Sequence, residues 1–185
     1  MKPPPDHQHV IAHTPLGFAA VIYRDQPFGV VEILLPQPGD DLRARLQAAG
    51  APEAGRHPDA LALAQAIRDY FEGRPPAPAW PHWEWLDLSG LTPLQQATLK
   101  ATVGIPYGQT RTYREVAQAA GNPRAARAAG TALAKNPYPI LIPCHRVIRS
   151  DGSCGSFGGG TPLKQAMLAL ERQGQNTGAA PPPSR

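Results

Sequence analysis

Between residues 92 and 162 the chain repeats one kind of punctuation, a side chain able to cap a helix followed by a residue suited to a helical first turn, and nothing else in it constrains the fold as strongly. Thr92-Pro93, Asn122-Pro123 and Thr161-Pro162 each set a capping oxygen before a proline, whose fixed φ and missing N–H suit the first helical position. Thr112-Tyr113-Arg114-Glu115 reads as a capping box, in which Thr112 and Glu115 satisfy each other's orphaned backbone donors. This predicts short helices opening at 93, 112, 123 and 162. The helix over 112–120 should end at Gly121, and Asn122 follows at once, so the pair 112–120 and 123–135 has the tight glycine turn of a helix-turn-helix. The same pair also serves as a plain packing unit in many folds.

The first half reads differently. Residues 18–23 and 29–35, rich in Val, Ile and aromatics, flank Arg24-Asp25-Gln26-Pro27 and predict two paired strands joined by a turn. Residues 40–49, closed by Gly50, and 59–72, closed by Gly73, carry helical patterns with acidic starts. Arg74-Pro75-Pro76-Ala77-Pro78 is a stiff connector leading to residues 80–88, whose tryptophans read as packing residues and whose last positions suit a short strand. Residues 1–13, with three prolines and His7, His9 and His13, and residues 173–185 read as flexible tails. The expected organisation is α+β: an N-terminal α/β domain over 14–88 and a mainly helical domain over 89–172.

Charge divides at the same boundary. Residues 1–88 hold 7 Lys/Arg against 11 Asp/Glu, net −4, and residues 89–185 hold 11 against 3, net +8. A basic half points to a polyanionic partner, with a solvated basic face as the plain alternative. No apolar run approaches the roughly 18 residues that span a bilayer, and the N-terminus has no signal-peptide core, so a cytoplasmic protein without membrane contact is expected. The two cysteines, Cys144 and Cys154, are too few for a disulfide framework and lack zinc-site spacing. No metal is expected.

Two segments carry candidate chemistry. Residues 124–135 form a helix of small side chains, including Ala126, Ala129 and Gly130, that could approach a groove closely, with Arg124 and Arg127 three apart on one face. A close-packed internal helix would use the same alanines. Cys144 lies in Pro143-Cys144-His145-Arg146-Val147, after a proline-spaced apolar run from 136 to 142 that should hold it rigidly. Thiolate is the nucleophilic form, and a thiol of pKa about 8.5 needs a base or positive charge to ionise near neutrality. His145 and Arg146 supply both. A small buried hydrophobe is the bland alternative for a lone cysteine. Cys154, between Ser153 and Gly155, has no such base.

From about Thr92 to Glu171, the ordered blocks Ile105-Pro106-Tyr107-Gly108, Thr112-Tyr113, Gly121-Asn122-Pro123, Asn136-Pro137, Pro139-Ile140-Leu141-Ile142-Pro143-Cys144-His145-Arg146-Val147 and Phe157-Gly158-Gly159-Gly160 resemble the O6-alkylguanine-DNA alkyltransferase family. Thr14-Pro15-Leu16-Gly17 and its hairpin are more diffusely similar to that family's N-terminal domain with a ribonuclease-H-like sheet. The resemblance implies direct repair of DNA: Cys144 takes the alkyl group from O6 of guanine, irreversibly and once per molecule. It implies that His145 draws the thiol proton through a water, Glu171 orients the imidazole, Asn136 braces the cysteine turn and Tyr113 donates to the guanine ring. Arg127 would enter the base stack where the damaged nucleotide flips out. Its helix, with Arg124, Ala126, Ala129 and Gly130 beside Tyr113, would lie in the minor groove of double-stranded DNA. Ser156, Phe157, Gly158 and Gly159 would form the wall of the base pocket. A monomer without cofactor is implied, and repair of O4-alkylthymine stays open.

Two departures stand out. The helix over 92–103 lacks the family's bulky aromatics, and the N-terminal half has no cysteine, so His7, His9 and His13 read as tail residues rather than zinc ligands. Among other classes, a noncatalytic alkylated-DNA-binding module would lack the acceptor cysteine. A cysteine hydrolase would not need the arginine-bearing helix, and a helix-turn-helix regulator would not need the Pro-Cys-His-Arg motif.

Overall fold

The computed structural model describes residues 7–37, 39, 41–74 and 83–176, the side chain of Asn176 excepted. Strands β1 (His7–Thr14), β2 (Gly17–Arg24), β3 (Gly29–Leu34) and the two-residue β4 (Glu53–Ala54) form a sheet ordered β3-β2-β1-β4. The first three are antiparallel neighbours, and β4 lies parallel to β1. Strand β2 shows no alternation, because Ala19 through Tyr23 are all buried. A strand covered on both faces needs apolar residues at successive positions. Helix α2 (Pro58–Phe71) joins the larger core through Ala60, Leu63, Ala64 and Ile67, together with Val21 and Tyr23. On the other face Leu46 of α1 (Leu42–Ala48) meets Ala20, Ile22 and Leu34.

Residues 1–13 were expected as a tail, and the structure corrects this from residue 7 onward. The prolines that suggested a loose segment stop at Pro5, whereas residues 7–14 pair throughout with β2 and bury His9, Val10 and Ala12. His9 is buried because its Nδ1 meets the carbonyl oxygen of Ala51 at 2.8 Å. The other expected tail, 173–185, is corrected over its first four residues, since α6 (Gly160–Asn176) continues through them. Gln175 donates to the carbonyl of Tyr107 at 2.8 Å and ties down that last turn. Residues 1–6 and 177–185 lie outside the described residues, as does most of the proline connector.

The second half packs α3 (Pro93–Val103), α4 (Tyr113–Ala119) and α5 (Ala126–Ala134) against one another. The capping box of Thr112 with Glu115 forms as expected, and Thr92 makes a second one with Gln95. In α3, Thr98 and Thr102 are buried without penalty because their hydroxyls donate back to the carbonyls of Leu94 and Thr98. Helix α5 starts three residues later than Asn122-Pro123 predicted. Asn122 instead closes α4: its N–H donates to the Ala117 carbonyl and that of Gly121 to Gln118, the crossed pair of a Schellman end, with Gly121 at φ +79°. Helix α6 opens at Gly160, two residues before Pro162. Residues 83–85 form one 3-10 turn, and the short strand expected before residue 88 reduces to a single bridge from Leu86 to Val30. Strand β5 (Arg111–Thr112) pairs in parallel with β6 (Val147–Ile148), which brings the start of α4 beside the cysteine segment. Among the described residues no helix is long and apolar enough to cross a membrane.

Candidate active site

The loop that delivers Cys144 is held by its own backbone and by Asn136. Ile140 sits at φ +73°, a region β-branched residues rarely occupy, so the surroundings must fix it there. They do so through Ile142 N–H to the Tyr138 carbonyl at 2.8 Å and Cys144 N–H to the Ile142 carbonyl at 2.7 Å. Asn136 accepts the Tyr138 N–H at 3.0 Å and donates from Nδ2 to the Ile142 carbonyl at 3.0 Å and to Cys144 Sγ at 3.1 Å. One amide thus braces the loop and touches the sulfur.

Cys144, His145 and Arg146 form a single buried 3-10 turn, and the charged pair they need comes from α6. Glu171, fully buried, places Oε1 2.7 Å from His145 Nε2. It also accepts from Arg146 Nε at 2.9 Å and Nη2 at 3.0 Å, from the Gly108 N–H at 2.8 Å, and from the Tyr70 hydroxyl at 3.0 Å. Arg146 Nη1 donates to the Ile105 carbonyl at 2.7 Å. Burial alone would push Glu171 up, but the hydrogen bonds and charges of His145 and Arg146 outweigh it and hold the carboxyl at about 2. An ionised carboxylate at 2.7 Å requires the His145 proton to be on Nε2. Nδ1 therefore carries the lone pair, and it has no hydrogen-bond partner among the described residues. Burial lowers the His145 pKa, against the pull of Glu171, so the imidazole is neutral and basic. Burial raises the Cys144 pKa, opposed by the Asn136 hydrogen bond and the Lys164 charge. At rest the pair is thiol and imidazole.

Cys144 opens into a cavity of about 210 Å³, walled by Leu35, Leu133, Asn136, Phe157 and Gly159. A wider cleft of about 630 Å³ adjoins it at Ala134 and Lys135 and is lined by Tyr113, Arg127, Gly130, Arg149 and Ser156. Tyr113 donates to the Ser156 carbonyl at 3.4 Å. Gly155, at φ +66°, permits this approach, since a Cβ there would stand 2.6 Å from the Tyr113 hydroxyl. Fully buried Lys164 donates to the Val147 carbonyl at 2.6 Å beneath the Tyr113 and Phe157 rings.

The structure brings Cys144, His145, Glu171 and Asn136 into one connected cluster. Tyr113 and Ser156 meet across the cleft, while Phe157, Gly158 and Gly159 line the cavity. Arg127, Ala126 and Gly130 line the cleft. Two expected groove residues differ. Ala129 is fully buried in the helical core and has no groove surface, and Arg124 is exposed but lies before α5, so it does not share a helix face with Arg127. Sequence reasoning missed Tyr70, Gly108, Lys164 and the bidentate role of Arg146. Lys164 was detectable: with Met167, Leu168 and Glu171 it falls on the buried stripe of α6, where a lysine is out of place unless it has a task. Tyr70 had no local signal, being 75 and 101 residues from its partners.

A thiol held by an amide beside a neutral, carboxylate-backed imidazole, opening toward a cleft with basic walls, defines a class: proteins able to present one cysteine as a nucleophile to a molecule entering from outside. Residues 93–173 match the family model described as 6-O-methylguanine DNA methyltransferase, DNA binding domain. The curated methylated-DNA–protein-cysteine methyltransferase of Mycobacterium bovis is 51% identical over 87 residues, covering 47% of this chain and 52% of that protein, so the chain matches about half the length of such relatives. The crystal structure of Mycobacterium tuberculosis O6-methylguanine methyltransferase superposes with a TM-score of 0.68 at 31% identity, over 90% of this chain and 93% of that one. The same organism's OGT in complex with DNA gives 0.66 at 31%, over 91% and 94%. The chain belongs to the O6-methylguanine-DNA methyltransferase family.

Proposed function

We propose that this protein is a DNA repair protein that transfers the alkyl group of O6-alkylguanine to its own Cys144 in a single turnover, as a methylated-DNA–protein-cysteine methyltransferase. The observation that carries the reading is the pairing of Cys144, touched by Asn136, with a neutral His145 whose Nε2 is taken by Glu171 and whose Nδ1 is free to accept. Sulfur attacks the alkyl carbon, the S–C bond forms as the C–O6 bond breaks, and the bonding pair leaves on guanine. The thiol proton passes to His145 Nδ1 through a water, Glu171 stabilises the imidazolium, and Tyr113 donates a hydrogen bond to the departing base. The product thioether has no easy return path. A buried thiol stays protonated until substrate arrives, which spares it from adventitious alkylation.

Partner and architecture follow the same reading. Double-stranded DNA would bind along the basic second half, with α4 and α5 acting as a helix-turn-helix and α5 in the minor groove. Exposed Arg127 would fill the place of the flipped base, and Arg124 would meet phosphate. Ser156, Phe157, Gly158 and Gly159 would wall the base pocket. The division into a ribonuclease-H-like unit ending near residue 88 and an alkyltransferase unit over 89–172, the monomeric state and the cytoplasmic location complete the proposal. It is tested by incubating limiting protein with duplex containing O6-methylguanine and digesting the DNA to nucleosides. Guanine restored in amounts equal to the protein supports it, and binding without restoration favours a noncatalytic alkylated-DNA-binding module.

A further inference from the structure

One member of the buried cluster has no part in the chemistry just described. Tyr70 lies near the end of α2, in the half of the chain that carries the sheet, and its hydroxyl stands 3.0 Å from Glu171 Oε1 and 3.1 Å from His145 Nε2. With the 2.7 Å contact between those two atoms, the three polar groups close a triangle sealed from solvent. The hydroxyl has one proton, and the donors can be assigned. His145 Nε2 already carries a hydrogen aimed at the carboxylate, so it cannot accept, and the Tyr70 proton goes to Glu171 Oε1. The ring is fixed by edge-to-face packing on Phe71, Tyr107 and His145. We propose that Tyr70 is a positioning residue of the alkyl-transfer site, whose hydroxyl shares the charge of Glu171 and so limits how strongly that carboxylate draws the proton of His145.

Chemistry gives the donation its purpose. If Glu171 were free to concentrate its charge on Nε2–H, His145 would become a stronger base but would hold a proton over a wider pH range, and protonated it cannot accept the Cys144 proton. A neighbouring hydroxyl that donates to the carboxylate weakens that pull. Tyr70 keeps its proton throughout, because burial and then the charge of Glu171 press its own pKa well above the usual value. The other groups facing the triangle are Arg146 on both carboxylate oxygens, the Gly108 N–H on Oε2, the Tyr107 ring over the Arg146 guanidinium, and the cations of Arg146 and Lys164, which oppose protonation of His145. Among the described side chains on Glu171, only Tyr70 comes from the sheet-bearing half, so it also makes the state of the relay depend on how that half is seated.

The proposal rests on the alkyltransferase reading for its purpose, but its test does not need DNA. In Tyr70→Phe, iodoacetamide labelling of Cys144 is followed against pH by intact mass, and the His145 imidazole is titrated by NMR. The expected result is a rise of about one pH unit in both the acid limb of labelling and the His145 midpoint, with the labelling rate above that limb retained or raised. If Tyr70→Phe does not fold, 3-fluorotyrosine placed at residue 70 keeps the ring and strengthens donation, and both midpoints should move down. Profiles superimposable on the unsubstituted protein, in a variant with the same melting curve, overturn the proposal. Failure of the unsubstituted protein to take a methyl group from DNA would instead overturn the alkyltransferase reading and leave these titrations standing.

Discussion

The cluster beneath Cys144 and the arginine-bearing surface beside it differ in almost every physical respect, though a few residues separate them. Below the sulfur, His145, Arg146 and Glu171 are buried and tied by charge-assisted hydrogen bonds, so each holds the others in one protonation state and one rotamer, while buried Lys164 is anchored separately on the Val147 carbonyl. Along the cleft, Arg127 and Lys135 are exposed on a framework of small residues, with Arg124 exposed just before α5. A buried ionic network tolerates no missing member, because removing one partner strands a charge away from water. An exposed cation is already solvated and can be removed at little cost to the fold. Substitutions below the sulfur should therefore damage stability and chemistry together, and those along the cleft only what the protein does to DNA.

The largest effect should come from Glu171→Gln, which leaves Arg146 buried without its counter-charge and His145 without its carboxylate. Chemical denaturation should show a loss of about 3 kcal/mol or more, and single-turnover methyl transfer should slow by at least about 100-fold. A variant as stable as the parent would show that the network is not a unit. Acid should reproduce this loss without mutation. The Glu171 carboxyl lies at about 2 in the folded protein against 4.5 when free. A depressed folded value contributes stability that is complete above about pH 4.5 and lost as pH falls toward 2, amounting to about 3 kcal/mol. His145 adds to it with the same sign: burial lowers its pKa from 6.5, so unfolding is favoured by proton uptake once pH falls below about 6.5. Urea midpoints measured from pH 7 to pH 3 should decline monotonically, and a rise on acidification would contradict the assignment.

How much of this was legible in the sequence follows the same division. The Thr92 and Thr112 caps, the β2–β3 hairpin and the Cys144-His145-Arg146 run were readable because each is decided by residues within a few positions of one another. Strand β1 was missed because the prolines of residues 3–5 dominated the composition of a segment whose remainder pairs with β2. The start of α5 was misplaced because Asn122 can cap the following helix or close the preceding one, and Gly121 at positive φ settles the matter for the latter. Glu171 came into view only through resemblance, and Tyr70 not at all, since nothing near either residue in sequence shows that they meet.

Two smaller effects sharpen the contrast from the surface side. Arg127→Ala should slow repair of duplex DNA by about tenfold or more while sparing reaction with free O6-benzylguanine, which needs no flipping, and stability should stay within about 0.5 kcal/mol. Equal losses on both substrates would remove Arg127 from the flipping step. Gly155→Ala should cost about 1 kcal/mol through its left-handed backbone. Its Cβ would also displace the Tyr113 hydroxyl, which should slow transfer several-fold without weakening DNA binding. Unchanged transfer would show that the Tyr113 hydroxyl is not needed where it stands.

The central claim is that one sulfur, made reactive by its buried neighbours, receives the alkyl group. Cys154 is the informative rival, a free and only partly buried thiol in the segment that borders the cleft, without an imidazole beside it in sequence. The most direct measurement is intact-protein mass spectrometry followed by peptide mapping after reaction with an oligonucleotide bearing O6-methylguanine. One methyl group per protein molecule is expected, on Cys144, with Cys154→Ser reacting nearly as the parent does and Cys144→Ser binding the DNA without gaining mass. A methyl group on Cys154, or transfer that persists in Cys144→Ser, would contradict the account.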